Sequence, residues 1–262
     1  MDEYCRKALS LGLTEVGFTP HLELDLHRSA LDDKVRLGDS VVPMRSDWIR
    51  IFAQDVERAR EKYPLELRVG IEVGYDEEIE GELKELLKRY PFDFCLGAIH
   101  CLDHVAITDR REYELYYRKR SVREVLSSYF TELDKAIRSQ LFDAIAHIDV
   151  YKKYGMGYYG EEILELEREF IFDALALMVR HDVALEVNTA GLRRVGDFYP
   201  PESILKSGAE MGVEKVIIGS DCHEVEQLAR GVEQAVGLVR SVGFTLCGFK
   251  NRQVYEIDYG VE

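Results

Sequence analysis

Apolar residues along the chain fall into two alternating rhythms. Short, near-continuous apolar stretches recur at 15–18, 67–73, 92–99, 143–148, 183–187 and 215–219, with a weaker one at 244–249. Runs of this length that are rich in β-branched residues predict strands covered on both faces. Between them the apolar positions take helical spacing. Tyr4, Cys5, Ala8, Leu9 and Leu11 set the first such segment, and others follow at 47–63, 77–90, 122–138, 161–181, 202–211 and 224–242. Strands alternating with helices predict a parallel sheet in an α/β fold. No repeat or low-complexity linker divides the chain, so one domain spanning 1–262 is expected. The polar stretches 22–46, 103–120 and 151–160 are expected to be loops over the sheet, the last of them rich in glycine and tyrosine.

The organising stretch is Val-Glu-Lys-Val-Ile-Ile-Gly-Ser-Asp-Cys-His, from Val213 to His223. An apolar strand runs into a polar tip, where Asp221 and His223 lie two residues apart. In extended backbone both side chains point to one side, a plausible metal half-site. The plainer alternative is a turn aspartate that caps the next helix beside a surface histidine. Other strands end in the same kind of chemistry. His21 and His100 lie at strand ends, and Glu72 and His147 lie near them. Glu72 is the sharpest anomaly: it interrupts Arg-Val-Gly-Ile-Glu-Val-Gly, and a buried carboxylate is costly unless paired or metal-bound. The C-terminal ends of strands converge in α/β barrels, so the six residues would meet in one mouth.

Charge and composition narrow the function. The formal net charge is −15 over 262 residues, against the basic footprint that nucleic-acid binding needs. No apolar run approaches the roughly 20 residues of a membrane helix, and the acidic N-terminus does not resemble a signal peptide. Five scattered cysteines, none in a CxxC pair, suit a reducing cytoplasm. No GxGxxG fingerprint follows the first strand, and a P-loop is absent too. The expected partner is a small molecule, not nucleic acid or membrane.

Five motifs in order then carry a resemblance. Gly-Phe-Thr-Pro-His21, Gly-Ile-Glu72, Gly-Ala-Ile-His100, Ala-His147-Ile-Asp and Gly-Ser-Asp221-Cys-His223 resemble successive motifs of the polymerase and histidinol phosphatase (PHP) superfamily. The stretch Glu186-Val-Asn-Thr-Ala-Gly-Leu-Arg193-Arg, followed by Phe-Tyr-Pro-Pro, is similar to the histidinol-phosphate phosphatase branch. The resemblance implies a distorted seven-stranded β/α barrel and up to three divalent transition metals, Zn, Mn or Fe. By that likeness Glu72 bridges two metals, His100 and His147 complete one site, Asp221 ligates the other, and His21 and His223 hold the third. The family opens on a strand bearing His-x-His, whereas this chain opens on the helix that follows it. That implies a barrel lacking its first strand, from a start placed too late, a truncation or natural variation. Fewer metals, exposed sheet edges and a tendency to form homo-oligomers are then expected.

The activity so implied is a metal-dependent phosphomonoesterase acting on L-histidinol phosphate. The alternatives are a phosphoesterase of the same superfamily with another substrate, or a metal-binding form with little activity. Asp221 and Arg193 are the expected catalytic residues. Arg193 is the candidate phosphate clamp, because a guanidinium fork matches two phosphate oxygens. Arg194 and Asn188 are further substrate-binding candidates, with Lys152 and Lys153 weaker ones.

Overall fold

A computed structural model describes residues 1–257 of the chain. Seven strands form one parallel sheet: β1 (Glu15–Phe18), β2 (His21–Glu23), β3 (Glu66–Gly74), β4 (Phe94–Ala98), β5 (Ala144–Ile145), β6 (Ala184–Asn188) and β7 (Val216–Gly219). Their spatial order follows the sequence, with β1 and β2 both paired to β3, and the register puts His21 opposite Glu72. The sheet curls into a half-barrel open between β1 and β7. The long helices are α1 (Asp2–Ser10), α2 (Trp48–Lys62), α3 (Glu80–Arg89), α4 (Val122–Arg138), α5 (Lys152–Tyr159), α6 (Glu162–His181), α7 (Glu202–Met211) and α8 (Val232–Val242).

Side-chain alternation sorts the strands onto two cores. Along β3, Leu67, Val69, Ile71 and Val73 join the large outer core that the helices cover, while Arg68, Gly70 and Glu72 face the concave side. That concave side is lined by small residues, Ala98, Ala144, Ala146 and Ala184, and filled by Leu96, Ile217, Cys247 and Phe249. Cys247 and Phe249 come from the C-terminal hairpin, Cys247–Lys250 with Gln253–Glu256. This hairpin lies across the N-terminal ends of the strands. The backbone N–H groups of Asn251 and Arg252 donate to Asp93, Arg252 pairs with Asp143 at 2.5 Å, and Tyr255 meets Glu15 and Arg68. One end of the half-barrel is therefore plugged, and the C-terminal ends of the strands are left for the site.

Several sequence expectations change here. The weak strand at 244–249 does not complete the barrel; among the described residues it pairs with β7 through the Val216–Leu246 bridge and then turns into the hairpin. Phe249 of that stretch instead fills the concave core. The seventh strand is β2, from the stretch expected to be a loop. Residues 151–160 form helix α5, not a loop, because tertiary contacts override the glycines. The Tyr154 ring stacks on Tyr113 at 4.3 Å, and the Tyr159 hydroxyl donates to the carbonyls of Tyr117 and Arg120. The helix expected over 224–242 is a 3-10 turn, Val225–Gln227, followed by α8. The open flank is tied by α1: Tyr4 packs edge-on against Phe18 of β1, and the helix touches the Val225–Gln227 turn after β7.

Candidate metal centre

The parallel register brings the ends of β2, β3 and β4 level, so three strands deliver polar side chains to one point. Glu72 lies at the centre. Its Oε1 is 3.1 Å from His100 Nε2, 3.1 Å from His147 Nε2 and 4.0 Å from His21 Nε2. Glu72, His100 and His147 are all buried. Burial alone would push the Glu72 carboxyl up, but the His21 charge and the hydrogen bonds from His100 and His147 hold it well below the carboxylate range. Burial likewise opposes the charge on His100, and Glu23 and Glu72 outweigh it, raising the imidazole to about 10. His147 is raised against burial by its hydrogen bond to Glu72.

The second group stands further out. His21, Asp221 and His223 bring ligand atoms within 4.8 Å of one another. His21 joins the two groups: its ring stacks on His100 at 5.0 Å and meets His223 edge-on at 5.5 Å. Asp221 sits on left-handed backbone, φ 44°, and His147 at φ 29°. Both are conformations that side-chain-bearing residues hold only when their surroundings fix them. For His147 the fixing group is Glu186, whose carboxylate accepts its backbone N–H at 2.8 Å. For Asp221 it is Arg193, whose Nη2 donates to the carbonyls of Ser220 (3.0 Å) and Asp221 (3.2 Å).

The donor set fits a borderline metal. A tetrahedral ion with bonds of about 2.0–2.1 Å separates its donor atoms by roughly 3.4 Å, and the Glu72–imidazole separations of 3.1 Å are close to that. Mixed imidazole and carboxylate donors suit zinc, iron or manganese better than calcium.

The six expected ligands thus come together at one end of the sheet. The expected substrate groups divide. Arg193 lies beside Asp221, with its Nη1 buried and lacking a hydrogen-bond partner. Arg194 is exposed. Lys152 is corrected: it is 4% exposed, its ammonium held by Asp149 at 2.8 Å and Glu167 at 2.7 Å. A lysine so neutralised is a core ion pair and offers nothing to a substrate. Asn188 is buried too, with its amide donating to Glu186 and its carbonyl oxygen accepting from Ala190 N–H. The neighbouring Lys153 is the lysine that feels the site: burial and Arg194 push its ammonium down, while Asp221, Asp109 and Glu72 pull the other way.

Two site residues escape the sequence reading. Glu23 accepts from His100 Nδ1 at 2.7 Å and lies 3.4 Å from His21 Nδ1. Burial opposes its ionisation, yet the two imidazoles bring it down to about 2. The signal was present as the alternation His-Leu-Glu-Leu-Asp, whose Leu22 and Leu24 are buried. Glu186 is the other, raised by burial to about 7. It breaks an apolar strand as Glu72 does, and that anomaly is the signal by which it could have been found. Each carboxylate lies over a glycine of the adjoining strand. A Cβ on Gly74 would collide with Glu23, and one on Gly219 with Glu186.

The motifs imply a distorted seven-stranded β/α barrel, and the seven-stranded sheet curls into a half-barrel of that kind with a histidine–carboxylate cluster at its C-terminal end. The chain belongs to the PHP domain family, whose model matches residues 1–190. A probable histidinol-phosphatase of Deinococcus radiodurans is 26% identical over 255 residues, 96% of this chain and 91% of that protein. The histidinol-phosphatase of Lactococcus lactis is 23% identical over 248 residues, 92% and 85% of the two chains. The crystal structure of a histidinol phosphate phosphatase from Lactococcus lactis, complexed with zinc, L-histidinol and phosphate, superposes with a TM-score of 0.74 at 18% identity. It covers 97% of this chain and 92% of that one. The fold is shared across that distance.

Proposed function

We propose that this protein is a metal-dependent phosphomonoesterase that hydrolyses L-histidinol phosphate to L-histidinol and phosphate. The observation that carries the reading is the placement of Glu72 between two imidazole Nε2 atoms, both at 3.1 Å, beside the His21, Asp221 and His223 group. The relatives named histidinol-phosphatase, and the zinc, histidinol and phosphate in the Lactococcus lactis structure, support the choice of substrate and metal.

Glu72, His100 and His147 would hold one ion, and His21, Asp221 and His223 would provide ligands for another. Bound there, a divalent cation supplies Lewis acidity toward a phosphoryl oxygen and lowers the pKa of water. The chain supplies the rest. Glu72 accepts from both buried imidazoles and keeps their Nε2 atoms turned toward one point. Arg193 holds the Ser220–Asp221 turn through two carbonyls, and its unpaired Nη1 is the proposed contact for a phosphoryl oxygen. Lys153 and Arg194 add positive charge at the same rim. This local charge draws in a phosphate dianion that the net charge of −15 would repel at long range. Among the described residues no helix is long and apolar enough to cross a membrane, and all five cysteines are free. A cytoplasmic enzyme of one domain is the matching proposal.

Phosphate release from L-histidinol phosphate tests this, using metal-stripped protein reloaded with zinc or manganese, beside a panel of other phosphomonoesters. The expected result is turnover that depends on the metal and prefers histidinol phosphate. Equal or faster turnover of unrelated esters overturns the substrate, and no turnover with any metal overturns the activity.

A further inference from the structure

Glu23 and Glu72 grip the same two imidazoles from opposite sides. The His21 and His100 rings are stacked, 5.0 Å apart and 11° from parallel. On one edge their Nε2 atoms face Glu72, at 4.0 and 3.1 Å; on the other their Nδ1 atoms face Glu23, at 3.4 and 2.7 Å. The strand register produces this arrangement. Pairing of β2 with β3 sets His21 opposite Glu72 and Glu23 opposite Gly74, and the missing Cβ of Gly74 leaves the space that the Glu23 carboxylate fills.

We propose that Glu23 is a positioning residue of the metal centre, acting chiefly through His100. Its carboxylate holds the Nδ1–H of His100 and so fixes the ring with the Nε2 lone pair directed at the ion beside Glu72. An ionised carboxylate only accepts hydrogen bonds, so the nitrogen facing it must carry the proton and the opposite nitrogen is left for the metal. Outer partners of this kind raise the basicity of the ligand and freeze its orientation. Without Glu23 the His100 ring is free to turn over, and Nε2 no longer points at one place. The inference rests on the reading that Glu72, His100 and His147 hold a metal.

The test measures zinc affinity by competition with a chromophoric chelator, on the wild-type chain, Glu23→Gln, Glu23→Ala, His100→Ala and the double variants. Thermal melts without metal report folding. Glu23→Ala is expected to weaken zinc binding about 10–100-fold, the range for losing such a partner. Glu23→Gln keeps an acceptor oxygen in the same shape and should recover part of the loss; it also serves if the alanine variant fails to fold. Gly74→Ala, which displaces the carboxylate without removing it, should mimic Glu23→Ala. In the His100→Ala background the further loss from Glu23→Ala should shrink to within threefold. Affinities of both Glu23 variants within threefold of wild type overturn the proposal. So does a loss that persists undiminished without His100 and is equal for Gln and Ala, because Glu23 would then be binding the ion itself. A wild-type chain that takes up no zinc overturns the metal reading and this inference together, an outcome distinct from zinc binding that ignores Glu23.

Discussion

The two halves of the centre are built on different principles. Glu72, His100 and His147 lie within or just past strands, and each is held by a second group: His100 by Glu23, His147 by Glu186, and Glu72 by the imidazoles themselves. His21, Asp221 and His223 stand at the open side. Asp221 and His223 follow the last strand of the sheet, and the His223 side chain is 66% exposed against 4% for His147. Burial makes the first half a charge cluster that the fold itself depends on. Exposure makes the second half a set of ligands that solvent satisfies when no ion does. The same residue types therefore weigh more on stability in one half and more on binding in the other, with His21 linking the two.

The largest test of this contrast is stability without metal. Glu72→Ala leaves the buried His147 without its paired carboxylate and His100 with Glu23 alone, and breaking a buried pair from one side costs about 3–5 kcal/mol. Asp221→Ala, at a partly exposed side chain on left-handed backbone, should cost less, about 1–2 kcal/mol. Urea unfolding of metal-free proteins reads both, and equal costs would erase the distinction. Next in size is Arg193→Ala, which removes a guanidinium from the open half. The expected loss in kcat/KM is about 2–4 kcal/mol, the range for a preorganised charge stabiliser. Zinc bound by the buried half should be unchanged. Turnover within threefold of the parent shows that Arg193 does not clamp phosphate.

The buried half was also the more legible in sequence. Glu72 announced itself as a charge in an apolar strand, because burial makes such a residue an anomaly. His100 ended, and His147 lay near the end of, strands whose apolar runs were long enough to recognise. The misreadings lie where tertiary contacts decide. Lys152 looked like a phosphate ligand because nothing local shows that Asp149 and Glu167 lie on either side of it. Glu23 sits in a three-residue strand, too short for a propensity signal, and only its partner strand makes it extended. The strand after α8 reads as a barrel member until Phe249 is seen filling the concave core.

A pH series sharpens the comparison further. In the metal-free protein the folded-state pKa of His100 is raised to about 10, above its ordinary value near 6.5. Its contribution is fully present below about pH 6.5 and is lost as pH rises toward 10. Glu23 is depressed to about 2, so its contribution is present above about 4.5 and is lost as pH falls toward 2. Metal-free stability should therefore decline on both sides of a window between about pH 4.5 and 6.5. Saturating zinc should remove the alkaline decline, because an imidazole bound to metal is already neutral. Denaturation midpoints across pH, with and without zinc, decide it; an alkaline arm unaffected by zinc would mean that His100 is not a ligand.

The smallest expected effect comes from His223. Its side chain is the most exposed of the six ligands and is bonded through Nδ1 to the Asp221 backbone carbonyl at 3.2 Å, so its removal leaves no buried charge behind. His223→Ala should leave the melting temperature of the metal-free protein nearly unchanged. It should weaken only the more loosely held ion, on the order of tenfold, or about 1.4 kcal/mol. Asp221 and His21 remain, and the turn is still held by Arg193. Zinc titration should then show one tight step as in wild type and one displaced step. Loss of the tight step would mean that the halves share their metal and act as one cluster, and that the joining residue His21, stacked on His100 and edge-on to His223, transmits the change between them.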